Sequence, residues 1–191
     1  MATQTLSQNG TMKDELFQIV KRLSFKRGDF VLASGQRSNY YIDCRLSTLD
    51  GRGSYLIGHL LYDMLEGLHV DAIGGMTLGA DPIVSSILYR SAEVGHPLSG
   101  FIVRKEAKGH GAARQVEGHL APWMRIALVE DVVTTGGSTL KAIEAIRRTC
   151  PSVEIVQVLA IIDRNAGGKE AFSRLGIPFQ SLYSVQSFLT E

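Results

Sequence analysis

Arg125-Ile-Ala-Leu-Val-Glu-Asp-Val-Val-Thr-Thr-Gly-Gly-Ser-Thr139 is the stretch from which the rest of the chain can be read. Ile126 to Val129 form an unbroken apolar run, the pattern of a strand covered on both faces, as in a parallel sheet. Glu130 and Asp131 follow, where such a strand is predicted to leave the sheet. Thr134 to Thr139 then open a helix whose apolar residues Leu140, Ile143 and Ile146 recur at helical spacing. Hydroxyls around two glycines let backbone N–H groups and side-chain donors converge on one anion. The positive end of the helix dipole favours that anion further. Paired carboxylates repel a phosphate, but they suit sugar hydroxyls, or Mg2+ and its waters. A diol-accepting pair beside a phosphate cradle describes a site for a ribose 5-phosphate. An acidic strand end before an ordinary Ser/Thr-capped helix shares this composition but not the whole run. No Gly-Lys-Ser/Thr follows the glycines, so the loop is not of the Walker type, and the dinucleotide G-x-G-x-x-G pattern is also missing.

The chain has 191 residues, enough for one domain with a real core and a small appended part. Charged residues are 20% and hydrophobic ones 45%, ordinary for a soluble globular protein. A net charge of +1 marks no nucleic-acid or membrane surface, so any anion binding must be local. No apolar run approaches the roughly 20 residues of a membrane span, and the first residues lack a basic-then-apolar leader pattern. Cys44 and Cys150 have no metal-ligand spacing and read as reduced thiols, so the expected location is cytoplasmic.

Met1 to Thr11 is polar and expected to fray, with an amphipathic helix from Met12 carrying Leu16, Ile19, Val20 and Leu23 on one face. Phe25 to Asp43 reads as extended chain around a turn at Ser34-Gly35, with strand-prone Tyr40-Tyr41-Ile42. Ser54 to Leu68 is predicted as a helix and Val70 to Gly74 as a short strand. Gly75-Met-Thr-Leu-Gly-Ala-Asp-Pro82 follows, with Asp81 as helix N-cap and Pro82 at the first helical position. A strand at Gly100 to Val103 leads into Arg104-Lys-Glu-Ala-Lys-Gly-His-Gly111 and on to Gly118. That segment has almost no apolar periodicity, and Gly109 and Gly111 flank His110. It reads either as a solvated hairpin connection or as a lid bringing Arg104, Lys105, Lys108 and His110 to a polyanion. Cys150-Pro151 ends the central helix, Val153 to Ile162 supplies another strand, and Asp163-Arg164 sits at its exit. A short helix within Ala166 to Gly176 and a closing element around Phe179 to Phe188 complete the chain. Strands alternating with helices imply a doubly wound, mainly parallel sheet, with the terminal segments left to form a cap.

With these residues in view, Val129 to Thr139 resembles the phosphoribosyl-pyrophosphate (PRPP) signature of type I phosphoribosyltransferases. Almost the whole chain is similar to the orotate phosphoribosyltransferase family. Ser34-Gly35 with Ser38-Asn-Tyr-Tyr-Ile-Asp43, the Arg104 to Gly111 lid, the PRPP signature and Asp163-Arg164 match in order. The signature is shared by many phosphoribosyltransferases; the Arg-Lys-Glu-Ala-Lys lid is particular to the orotate branch.

The resemblance implies an α/β fold of the type I phosphoribosyltransferase kind: a mainly parallel twisted sheet flanked by helices, with a small hood. Residues 1–191 would form a single domain, with a core of about 50–163 and a hood from about 12–48 and 164–191. It implies transfer of the 5-phosphoribosyl group from PRPP to orotate in pyrimidine (UMP) synthesis. Arg104, Lys105, Lys108 and His110 would contact pyrophosphate, Glu130 and Asp131 the ribose hydroxyls, and Val132, Val133, Thr134, Thr135, Gly136, Gly137 and Ser138 the 5-phosphate loop. Thr134, Arg164, Tyr40 and Tyr41 would face orotate, with Arg164 the bidentate partner of its carboxylate. Lys108, His110 and Asp131 would carry the catalysis. Mg2+ is the implied cofactor, held mainly by PRPP and water rather than by protein ligands. A homodimer is implied, Lys108 and His110 reaching the neighbouring subunit's site, with no nucleic-acid or membrane partner. This chain has Ala33 where many relatives carry Lys, and Thr77-Leu-Gly-Ala80 where some carry a lysine in the pyrophosphate loop. A purine or xanthine phosphoribosyltransferase, or a PRPP-sensing regulator, would share the signature. Neutral purines offer Arg164 no carboxylate, and a DNA-binding regulator should show a basic face.

Overall fold

The structure, a computed structural model, describes residues 2–31, 35, 37–106 and 115–190, of which residues 2–8 by backbone only. Among the described residues, eight strands and seven helices follow in the order α1 (Ala2–Leu23), β1 (Phe25–Val31), β2 (Arg37–Ile42), α2 (Arg45–Thr48), α3 (Gly51–Asp63), β3 (Ala72–Met76), α4 (Asp81–Glu93), β4 (Ser99–Val103), β5 (Val116–Gly118), β6 (Arg125–Val133), α5 (Gly137–Thr149), β7 (Glu154–Asp163), α6 (Gly168–Ser173), β8 (Phe179–Ser184) and α7 (Gln186–Leu189). The main sheet has six strands in the order β5-β4-β3-β6-β7-β8, parallel throughout except at the β4–β5 edge. Hence the loops after β3, β4, β6 and β7 share one edge, where α/β sheets bind ligands.

The apolar run of β6 shows why this sheet is buried on both sides. Ala127 and Val129 join the core beneath α1, α3 and α4, while Ile126 and Leu128 join the core beneath α5 and α6. Successive side chains of a strand point to opposite faces, so a run without polar interruption needs helices on each. No helix among the described residues is long and apolar enough to cross a membrane.

A second, two-stranded antiparallel sheet pairs β1 with β2. Its Phe25 stacks on Phe188 of α7 with ring centroids 5.6 Å apart, and Phe188 stacks on Phe17 of α1 at 4.5 Å. Arg27 donates to the carbonyls of Phe188 and Leu189 at 3.3 and 3.0 Å. The hairpin, the first helix and the last helix therefore share one aromatic cluster. The expected turn at Ser34, and Ala33 with it, lies outside the described residues.

Several boundaries differ from the sequence reading. The first helix starts at Ala2 rather than Met12, with Asn9 bonded to Asp63 at 3.0 Å. The helix predicted from Ser54 begins at Gly51, because the Asp50 carboxylate accepts from the Gly53 N–H at 2.8 Å and caps it. It ends at Asp63, the chain turning before a strand that runs from Ala72 to Met76 rather than from Val70. Asp81 is inside α4 rather than its N-cap, which is Ala80 and makes no side-chain cap bond. β6 does not end before the two acids but runs to Val133, since Glu130, Val132 and Val133 pair with Ala160, Ile162 and Asp163 of β7.

Candidate functional site

The acids stand on the rigid end of β6. Glu130 is 7% exposed, and its Oε2 accepts from Thr139 Oγ1 at 3.4 Å. Burial, and then the negative charge of Asp131, push the Glu130 carboxyl up to about 8. Asp131 is also raised, chiefly by burial, although the Val132 N–H donates to its Oδ1 at 2.8 Å. Arg45 faces the Asp131 charge across the site, but burial outweighs that attraction and both groups stay raised. Two carboxylates held this way are poised to accept hydroxyl donors or to face a cation. Asp131 lies toward the buried thiol of Cys44, which burial and then the Asp131 charge hold well above the usual thiol range.

Gly79, in the loop after β3, closes on both acids. A Cβ there would meet Asp131 Oδ1 at 2.8 Å and Glu130 Oε1 at 3.2 Å. Only the absence of a side chain lets this backbone approach. Sequence reading quoted the loop but gave Gly79 no role; the contact spans residues far apart in the chain.

Beyond β6, a cavity of about 300 Å³ is lined by Glu130, Val132, Val133, residues 134–139 and Lys141. Gly136, at φ +80°, is the left-handed N-cap of α5, where a Cβ would also meet the Phe172 ring at 2.9 Å. The loop thus turns sharply and delivers free N–H groups at the positive end of a helix. Lys141, one turn into α5, was missed in the sequence; a cation this close to the positive end of a helix was the signal available. A larger cavity, about 1100 Å³, lies at the amino-terminal edge of the sheet beside Tyr62, His69 and His96, and holds none of the expected residues.

Arg164 follows β7, its N–H donating to Val133 O at 2.9 Å, which seats it beside the phosphate loop. Its Nε donates to Tyr40 Oη at 3.1 Å. Tyr41, next along β2, faces the other way, tilted against Phe30 at 5.6 Å. Arg104, after β4, pairs with Glu117 at 3.1 Å, and its N–H donates to Gln115 O at 2.8 Å. Lys105 is exposed at the start of the lid segment. Lys108 and His110 lie outside the described residues. The structure thus brings Glu130, Asp131, Val132, Val133, Thr134, Thr135, Gly136, Gly137, Ser138, Arg164 and Tyr40 to one edge. Among the described residues no three His, Cys, Asp or Glu side chains converge as a metal site.

This strand order, with a phosphate loop and an acid pair at the carboxyl edge of a mainly parallel sheet, is that of the type I phosphoribosyltransferases. No protein-family model matches the chain. It is 44% identical over 180 residues to an orotate phosphoribosyltransferase of Aquifex aeolicus, across 93% of this chain and 97% of the relative. The crystal structure of the Mycobacterium tuberculosis orotate phosphoribosyltransferase with Fe(III) dicitrate is similar at TM-score 0.82 and 37% identity, covering 93% of this chain and 98% of that one. The same enzyme with PRPP is similar at TM-score 0.78 and 34% identity over the same shares. The chain belongs to the orotate phosphoribosyltransferase family.

Proposed function

We propose a division of labour for the reaction of this enzyme, a pentosyltransferase that moves the 5-phosphoribosyl group of PRPP to orotate, giving orotidine 5'-phosphate and pyrophosphate. The observation that carries it is the buried pair Glu130–Asp131 abutting the residue 134–138 loop. The loop N–H groups and the hydroxyls of Thr134, Thr135 and Ser138 hold the 5-phosphate. The acids accept hydrogen bonds from the ribose hydroxyls and orient the sugar, Asp131 facing the carbon that reacts. Arg164 receives the orotate carboxylate. Residues 12–48 and 164–191 form a hood over the base, and residues 50–163 the core.

Cleavage at C1 builds an oxocarbenium-like centre while negative charge gathers on the leaving pyrophosphate, as in glycoside cleavage. Arg104, Lys105, Lys108 and His110 close on that charge and are worth more once water is excluded. Arg104 must exchange Glu117 for pyrophosphate as this happens. Orotate brings its own ring nitrogen as nucleophile, so no covalent enzyme intermediate forms and C1 inverts. Mg2+ fits the site, because two hard oxygen donors meet there and a cation beside them would favour their ionised forms. Held mainly by PRPP oxygens and water, it would supply neutralisation of the departing pyrophosphate.

A homodimer is supported by apolar side chains left in water: Leu49 is 75% and Tyr89 74% exposed, bordering a cavity of about 590 Å³ on α3 and α4. A second copy seated there would present its Lys108 and His110 to this site. Mixing Lys108→Ala and Asp131→Asn subunits tests this, because shared sites restore activity in hybrids while self-contained sites do not. Incubation with PRPP, Mg2+ and orotate should consume orotate absorbance, and adenine, hypoxanthine or xanthine should not substitute. Turnover of a purine with none of orotate would overturn the assignment.

A further inference from the structure

Tyr40 and Tyr41 are neighbours on β2, so they cannot both lie against one base. Tyr41 is 40% exposed. Tyr40 is half-buried and already engaged. Its ring stacks on Phe25 at 5.8 Å with an interplanar angle of 20°. The guanidinium carbon of Arg164 lies 4.8 Å from its ring centroid, and its hydroxyl accepts from Arg164 Nε at 3.1 Å. These contacts join residues on two separate sheets, the hairpin and the end of β7.

Arg164 needs such a partner. Its backbone is fixed by the bond to Val133 O, but a long side chain beyond a strand end samples many rotamers. Among the described residues no carboxylate pairs with Arg164, and its terminal amino groups make no hydrogen bond, so nothing but Tyr40 holds the guanidinium plane. A bond through Nε leaves the outward N–H of each terminal amino group as the fork that receives a carboxylate end-on. We propose that Tyr40 is a positioning residue: through its hydroxyl and ring it sets the plane of the Arg164 guanidinium for the carboxylate of the pyrimidine substrate. This rests on the reading of Arg164 as the carboxylate ligand. Tyr40 therefore serves orotate recognition through Arg164 rather than as a stacking platform, and the aromatic contact with Phe25 is what fixes Tyr40 in turn.

Tyr40→Phe keeps the ring, its stacking on Phe25 and its contact with the guanidinium, and removes only the hydroxyl. The full-length enzyme should then show an orotate KM raised about tenfold, the size of a lost hydrogen bond to a charged group. The PRPP KM and kcat should move far less. Arg164→Lys, which abolishes the fork, should raise the orotate KM further, and adding Tyr40→Phe to it should change little, because the two residues act as one unit. Thermal melting of each variant reports the fold separately. A Tyr40→Phe enzyme with unchanged orotate KM, or with kcat and both KM values altered alike, overturns the proposal. Strictly additive effects in the double variant do so too. If Arg164→Lys itself fails to raise the orotate KM by a larger factor than the PRPP KM, the reading of Arg164 fails. If Arg164→Lys is selective for orotate and Tyr40→Phe is not, only the role of Tyr40 fails.

Discussion

Replacing Glu130 by Gln asks whether the acid pair is maintained against the stability of the fold. Glu130 is almost wholly buried at the end of β6, beside the Asp131 carboxyl, and accepts from Thr139 Oγ1 at 3.4 Å. Burial first, and Asp131 second, raise its carboxyl from an ordinary 4.5 to about 8. A carboxyl whose folded pKa exceeds its unfolded one contributes its full stability below about 4.5 and loses it as pH rises through about 8. Were that whole displacement realised, it would amount to about 5 kcal/mol. Neighbouring dipoles and entering water relax around the ionised group, and about 2 kcal/mol is the expected share. Glutamine keeps the shape and never ionises. The ligand-free variant should therefore melt about 4–8 °C above the parent near pH 8.5, with the gain shrinking toward zero near pH 5. Scanning calorimetry of both proteins at the two pH values, at one ionic strength, measures this. An equal gain at both pH values would mean that packing, not charge, is responsible. A lower melting temperature near pH 8.5 would refute the reasoning outright. The same variant should lose most of its PRPP-dependent activity.

Other substitutions address the remaining parts. Gly79→Ala places a methyl 2.8 Å from Asp131 Oδ1; kcat/KM for PRPP should fall by about tenfold or more with the melting temperature held, and normal kinetics would remove Gly79 from the sugar site. Gly136→Ala must adopt φ +80° against the Phe172 ring; a loss of about 1–3 kcal/mol is expected, read as a lower urea midpoint, and an unchanged midpoint would count against strain there. Lys108→Ala should reduce kcat by about 100–1,000-fold if the lid acts on the leaving group, and an unaltered kcat would take the lid out of the mechanism.

Much of this could be read from the chain because its signals are local. Ile126 to Val129 announce a doubly covered strand, and Thr134 to Ser138 with Leu140, Ile143 and Ile146 announce an anion-binding turn into a helix. Other features depend on partners distant in sequence. β6 continues through Glu130 and Asp131 because β7 offers an equally long apolar ladder, which no window around the acids reveals. Asp50-Gly-Arg-Gly53 looks like a turn until the Asp50 carboxylate is seen capping α3. Asp81 looks like a cap, yet its Oδ1 is buried without a described partner, and burial raises its carboxyl. Gly79 against the acids and Tyr40 against Arg164 are contacts between separate elements, invisible to periodicity.

The cluster of Phe17, Phe25, Tyr183 and Phe188 has a practical corollary for anyone handling this enzyme. Trimming the final turn, or fusing a bulky tag directly after it, would unseat Phe188 and with it the ring that supports Tyr40. Damage at the tail should then surface as poor discrimination of the pyrimidine, with sugar-phosphate handling left nearly intact.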